Sequence, residues 1–261
     1  MTRKKWSWSY IYLGLMILTM YIPIFIVIIY SFNESKISTV WSGFSLKWYE
    51  MLFRDRSMRE ALVNSLVLGA LSSAFAGIIA TAGAVGMAGK HFKLKGVVEY
   101  VATLPIMIPE IILGMVFLSY FSLLNLPFGM LTLVIAHTAF SVPYVYMQVK
   151  AGLNGMDPAL VEAARDMGAT FSKAFRDITF PLIMPSVAAG MLLSFAMSFD
   201  DVVISVFVTG ATVNTLPVKI YSQMKTGVTP EANALCAVIF ACSLVIVAIA
   251  LLLGRMGKSK E

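Results

Sequence analysis

Long apolar runs separated by short polar stretches dominate this chain, and one polar stretch is long enough to be an element in its own right. Residues 6–33 contain no charged side chain. A run of that length predicts a membrane-crossing helix, because a hydrocarbon core about 30 Å thick needs roughly 20 apolar residues in a helix that satisfies its own backbone. The pattern recurs and predicts six spans, at about 10–32, 61–89, 98–122, 128–149, 185–208 and 232–254. Pro23 should kink the first. The second is rich in small residues, including Gly77, Gly83 and Gly86, which suits close helix contact. The third carries Pro105, Pro109 and Glu110. The charge-free stretch 111–149 is too long for one span, and Asn125, Pro127 and Gly129 divide it into a tight hairpin. The polar island fills 150–181.

Composition narrows the class. With 59% hydrophobic residues, 13% charged residues and mean hydropathy of +0.82, the chain is no ordinary soluble globule, which carries about 25% charged residues. The expectation is an all-α integral membrane protein with one transmembrane domain over 1–261. Of the 20 Lys and Arg residues, thirteen fall on the side of the N-terminus and seven on the other, which predicts cytoplasmic N- and C-termini and places the island inside. The net charge of +6 is thereby used as anchors at the inner lipid surface, and nucleic acid is not needed to explain it. Arg3-Lys4-Lys5 ahead of an apolar run imitates a signal peptide. The run is too long and lacks a small-residue cleavage site, so it reads as an uncleaved first span flanked by the anchors Trp6 and Trp8. Cys236 and Cys242 lie six residues apart in the last span and read as small apolar residues of a helix contact.

Within the island, Asp157-Pro158 is a good helix start and Gly168 a good stop. They predict a helix of about ten residues, roughly 15 Å long, with an Ala163/Ala164 step small enough to seat in another protein's cleft. Glu162-Ala163-Ala164, Gly168, Ile178 and Pro181, at these spacings, resemble the EAA loop of permease subunits of bacterial ABC importers. That resemblance implies the type I ABC importer permease arrangement, with a cytoplasmic coupling helix gripped by an ATP-binding subunit. Glu162, Ala163, Ala164 and Gly168 would shape the docking contact, and Arg165 and Asp166 would supply salt bridges. The chain has no Gly-x-x-x-x-Gly-Lys-Ser/Thr loop, so hydrolysis is expected elsewhere: the chain is not an enzyme and holds no cofactor, and partner ATPase subunits bind ATP and Mg. No catalytic metal signature is present either; His91 sits among basic residues, and His137, isolated in the fourth span, reads as a packing or interhelical hydrogen-bonding residue.

Three acids fall within spans: Glu110, Asp200 and Asp201. A carboxylate near the centre of a membrane helix costs about 2.5–3.5 kcal/mol, so each should face water, a cation or a partner. Counted along uninterrupted helices, Glu110 lies roughly 18 Å above Val98 and Asp200 roughly 22 Å above Pro185. No basic residue shares their spans, which makes a cationic substrate their natural partner. Successive residues on a helix project about 100° apart, so one of the two aspartates should face the pathway while the other bonds to a neighbouring helix or amide. Alternatively, the pair caps a half-helix where the span breaks. Ser198 is placed to accept a hydrogen bond from an ammonium group. Trp48 and Tyr49 form either an aromatic gate or, for Trp48, a headgroup-level anchor.

The stretches 194–210, 215–221, 46–49 and 227–235 resemble the C-type permease subunits of spermidine/putrescine ABC importers, a likeness that runs along nearly the whole chain. It implies import of polyamines by alternating access through a multi-pass protein of the bacterial cytoplasmic (inner) membrane. The implied partners are a second homologous permease subunit forming a heterodimer, two ATP-binding subunits and an extracytoplasmic polyamine-binding protein. The competing expectations are an ABC permease for another cationic or small substrate, a metal ion or organic amine among them, and a secondary transporter.

Overall fold

The computed structural model describes residues 8–36, 40–88, 93–226 and 230–258. Trp6, His91 and the basic residues Arg3, Lys4, Lys5, Lys90 and Lys260 lie outside them, as do Gly89 and 227–229. The described chain is helical: α1 (Trp8–Tyr30), α2 (Lys47–Arg54), α3 (Arg56–Met87), α4 (Lys95–Met107), α5 (Glu110–Leu123), α6 (Met130–Asn154), α7 (Ala159–Asp166), α8 (Phe171–Ala174), a π-helical turn (Phe175–Thr179), α9 (Phe180–Asp200), α10 (Val203–Val208), α11 (Leu216–Thr226) and α12 (Pro230–Lys258). Four helical runs are long and apolar enough to cross a membrane, at Tyr10–Tyr30, Arg56–Met87, Met130–Asn154 and Phe171–Asp200. The pair α4 and α5 makes a fifth when counted as one span bent by 105°.

Two of the spans expected to be continuous are broken. In the third, Ile108 precedes Pro109, whose ring pushes it out of the helical region to φ −87, ψ 128. The helix stops at Met107 and restarts at Glu110, so the uninterrupted rise used to place Glu110 does not hold. In the fifth, the helix begins upstream of Pro185 and ends at Asp200; Asp201 is extended at φ −68, ψ 125, and α10 follows. Pro181 has no N–H to offer Asp177, which is where the π turn relieves the start of α9.

The chain forms two compact units. The first, 1–59 with 220–261, holds α1, α2 and α12. The loop between α1 and α2 is built on Asn33, whose Nδ2 donates to the Val40 carbonyl at 2.6 Å and whose Oδ1 accepts from the Ser42 N–H at 3.0 Å. Trp48 donates its indole N–H to the Asn33 carbonyl at 2.7 Å and is 5% exposed, while Tyr49 shares a 2.6 Å hydrogen bond with Ser31. Trp48 is therefore neither an exposed anchor nor an open gate, because its one polar atom is spent holding this loop. Cys236 and Cys242 are free and exposed on α12, so among the described residues neither is the buried small apolar packing residue expected.

The second unit, 60–219, is arranged around α6, whose buried residues run from Thr132 to Val149. One apolar cluster joins Ala76, Ala80 and Ala84 of α3 to Val145 and Val149 of α6 and Ile183 and Val187 of α9. The other joins Leu68, Phe121, Leu133, Phe140, Ile204 and Val208. Where α9 crosses α6, a Cβ on Gly190 would stand 3.1 Å from Val145 Cγ1 and 3.2 Å from its Cα. Gly190→Leu is expected to cost about 1–3 kcal/mol by forcing the two helices apart, read as a lower melting midpoint of the detergent-purified complex. Gly77 also sits close to α9, with Met191 2.8 Å from a built Cβ, whereas Gly83 and Gly86 face open space on this chain. Gly83→Ala is the matching control and should leave the midpoint unchanged or slightly raised.

Candidate functional site

The break after α9 creates the first part of the site. Asp201 accepts from the Ile204 N–H at 3.2 Å through Oδ1 and from the Ser205 N–H at 2.8 Å through Oδ2, so its carboxylate caps the free amides that open α10. Its side chain is only 6% exposed. His137, fully buried on α6, approaches the same carboxylate: Nε2 lies 3.5 Å from Asp201 Oδ2 and 3.0 Å from Ser205 Oγ. On the other side of the ring, Nδ1 lies 2.8 Å from Ser198 Oγ, which in turn accepts from Ser72 Oγ at 3.0 Å. His137 thus makes the interhelical hydrogen bonds expected of it.

Glu110 opens α5, where the positive end of a helix dipole favours a carboxylate. It shares a cavity of about 480 Å³ with Asp200, Asp201, Phe140, Ala196, Met197, Val202 and Val203. The three acids picked from the sequence therefore come together in one place, although two helix breaks and not two straight helices bring them there. Their environments differ. Asp201 is committed to α10 and His137, while Glu110 and Asp200 are exposed and neither pairs with a basic side chain among the described residues. Asp200 ends α9, where the negative end of the dipole adds to its own charge and leaves the strongest unsatisfied attraction for a cation. Of the two expectations for the aspartate pair, capping describes Asp201 and exposure to the cavity describes Asp200.

Ser198 does not stand open to this cavity. It is 2% exposed, and its hydroxyl is shared between His137 and Ser72, which corrects its expected role as a direct acceptor for an ammonium group. Trp48 belongs to the other unit. Phe140 and Met197, unremarkable in sequence, are the apolar walls. A helical offset from Asp200 and Asp201 points to Met197, but no local signal points to Phe140. Among the described residues, no three His, Cys, Asp or Glu side chains converge closely enough to hold a metal ion.

The polar island builds a second surface. The helix between its predicted start and stop is α7, eight residues long, two fewer than expected. Asp157 Oδ1 accepts from the Ala159 N–H at 2.9 Å at its start. Its end is a Schellman turn: Ala169 N–H bonds to the Ala164 carbonyl at 3.0 Å, Gly168 N–H to that of Arg165 at 2.9 Å, and Gly168 takes φ +87. Ala164 is buried, while Glu162, Ala163, Arg165, Asp166 and Gly168 are exposed. A cavity of about 720 Å³ beside α7 is lined by Glu162, Arg165, Lys95 and a Glu99–Lys150 ion pair of 2.8 Å that ties α4 to α6.

Residues 73–258 match the family of binding-protein-dependent transport system inner membrane components. The chain is 41% identical over 236 residues to PotC, the spermidine/putrescine transport system permease protein of Escherichia coli strain K12, covering 90% of this chain and 89% of that one. It is 38% identical over 244 residues to PotI, the putrescine transport system permease protein of the same strain, covering 91% and 86%. Among solved structures, a bacterial alginate ABC transporter in complex with a pentasaccharide-bound periplasmic protein superposes with a TM-score of 0.73 at 19% identity, covering 95% of this chain and 93% of that one. At that identity the likeness concerns the fold.

Proposed function

The chain belongs to the family of binding-protein-dependent transport system inner membrane components, and we infer that it is the polyamine-conducting permease subunit of an ATP-driven importer. Its relatives PotC and PotI carry spermidine and putrescine in their names, and identity to them extends over nine-tenths of this chain. The observation that carries the substrate class is the cavity in which Glu110 and Asp200 stand, without a basic partner among the described residues, between apolar walls. A polyamine alternates ammonium groups with methylenes. The carboxylates suit the first through charge-assisted hydrogen bonds, and Phe140 and Met197 suit the second, with a cation–π contribution of about 0.5–2 kcal/mol from the ring. A cavity of about 480 Å³ falls within the roughly 300–1,000 Å³ of small-molecule sites. Among the described residues no compact cage of ligands forms, which suits an extended cation better than a metal ion.

In this reading the chain is one transmembrane domain of six spans, with the bent α4–α5 pair and α12 completing the set. The termini and the loop 150–181 lie in the cytoplasm of the bacterial inner membrane. α7 is the coupling helix, presenting Glu162, Ala163, Arg165 and Asp166 to one of two separate subunits that bind ATP and Mg. A second, homologous permease supplies the other half of the pathway, and an extracytoplasmic binding protein delivers the polyamine. Recognition here should be weak, since a deep well for the cation would also prevent its release. Ser198 acts at one remove, through His137, and Trp48 holds the α1–α2 loop.

Radiolabelled spermidine and putrescine uptake, in cells lacking other polyamine importers and with the other subunits present, tests the assignment. Uptake is expected to require this chain and ATP. Uptake that persists without the chain removes the polyamine reading, and uptake driven by an ion gradient without ATP would favour a secondary transporter.

A further inference from the structure

We propose that His137 is a positioning residue for substrate recognition: by holding Asp201 it fixes the break between α9 and α10 and so sets Asp200 beside Glu110. The uptake arm of the proposal rests on the polyamine reading above; its second arm does not.

The carboxylate beside Nε2 favours one tautomer of the ring. An ionised carboxylate only accepts, so Nε2, which faces both Asp201 Oδ2 at 3.5 Å and Ser205 Oγ at 3.0 Å, carries the ring proton. Nδ1 is then an acceptor and takes the Ser198 hydroxyl proton at 2.8 Å, and Ser198 accepts from Ser72 at 3.0 Å. Four helices meet in this chain of bonds: α3 through Ser72, α9 through Ser198, α6 through His137 and α10 through Ser205. The ring is fully buried, so it does not itself meet substrate. It does touch the wall of the acidic cavity, since its centroid lies 5.3 Å from that of Phe140.

Asp201 is thus held by two hydrogen bonds from the amides of α10, and the His137 Nε2–H at 3.5 Å adds an electrostatic contact on its other side. Without the ring, the cap alone holds a carboxylate that already lines the cavity one residue from Asp200, and the side chain turns more readily toward Asp200. There it would repel Asp200 and compete for the same ammonium group. The expected signature is a weakened apparent affinity with little change in the maximal rate per assembled complex.

The test uses His137→Gln, whose amide can donate from the Nε2 position, and His137→Asn, which reaches only the Nδ1 side. In the assembled transporter, H137N should raise the spermidine KM about threefold, as expected for loss of one electrostatic contact that only orients the cavity, and H137Q should stay near the parent value. Because His137 acts through Asp201, D201N with H137N should be no worse than D201N alone. Independently of substrate, amide hydrogen exchange at Ile204 and Ser205 should rise in H137N and not in H137Q. If the parent transporter carries no polyamine, the function assigned above fails, while the exchange measurement still decides the role of His137. Unchanged exchange in H137N, or KM defects that multiply in the double variant, overturns the proposal. Should H137N fail to assemble, Ser198→Ala removes the Nδ1 contact alone, and the same exchange measurement is expected to show a smaller rise; no rise overturns the proposal.

Discussion

Glu110→Gln combined with Asp200→Asn is expected to lower spermidine uptake at least about hundredfold while leaving the amount and melting midpoint of the complex unchanged. Each carboxylate is exposed at the cavity and lacks a basic partner among the described residues, and the small helix-dipole gain of Glu110 at the start of α5 is offset by the unfavourable charge of Asp200 at the end of α9, so neutralising both costs the fold little. An ammonium bound there makes hydrogen bonds to charged acceptors worth about 1.5–3 kcal/mol each, and losing two accounts for the drop. Asp201→Asn should behave differently. Its carboxylate caps α10 through both oxygens and faces His137, and an amide keeps one acceptor oxygen, so the substitution should lower the melting midpoint as well as uptake, with about 0.5–1.5 kcal/mol from the lost amide bond. Uptake in the parallel assays, set against thermal melts of the same preparations, separates the two effects. A double variant at Glu110 and Asp200 that transports normally would remove these carboxylates from the pathway; one that unfolds would make them structural.

This contrast was half legible in the sequence. Buried acids without basic neighbours are readable from a single chain, and Glu110, Asp200 and Asp201 do share one cavity. Their separate duties were not readable, because what divides Asp200 from Asp201 is a change of backbone conformation over a single residue with no proline to announce it. The α4–α5 break did carry a signal: Pro109 restricts Ile108, and treating the stretch as one continuous span overlooked that. His137 meets Ser198 and Ser205 across 61 and 68 residues of sequence, and nothing local to it names those partners. Trp48 misled for the same reason. An aromatic residue beside a span reads as an interfacial side chain until the Asn33 carbonyl that takes its N–H is seen. By contrast, α7 was legible because it is a local structure, with start, stop and small-residue step all written within twelve consecutive positions.

That local character makes Gly168 the sharpest probe of the coupling role proposed for α7. Gly168→Val is expected to abolish stimulation of ATP hydrolysis by substrate-loaded binding protein and to cut uptake more than about tenfold, with the spermidine-to-putrescine ratio unchanged. A left-handed backbone costs an L-residue roughly 1–2 kcal/mol, and a β-branched side chain tolerates it worst. Relaxing φ from +87 breaks the paired bonds from Gly168 and Ala169 back to Arg165 and Ala164, and so reshapes the end of α7. Among the described residues, apart from its chain neighbours, no atom lies within 4 Å of where a Cβ would stand, so crowding by them is not the cause. The effect must pass through the backbone of α7 or through whatever docks on it. Gly168→Asn distinguishes these: asparagine adopts the left-handed conformation readily, so it should restore most coupling if backbone geometry matters and remain defective if the docking surface cannot accommodate any side chain. ATPase activity and uptake in reconstituted vesicles, with the complex confirmed intact, read both. Full coupling in Gly168→Val would show that α7 does not transmit the motion of the ATP-binding subunits.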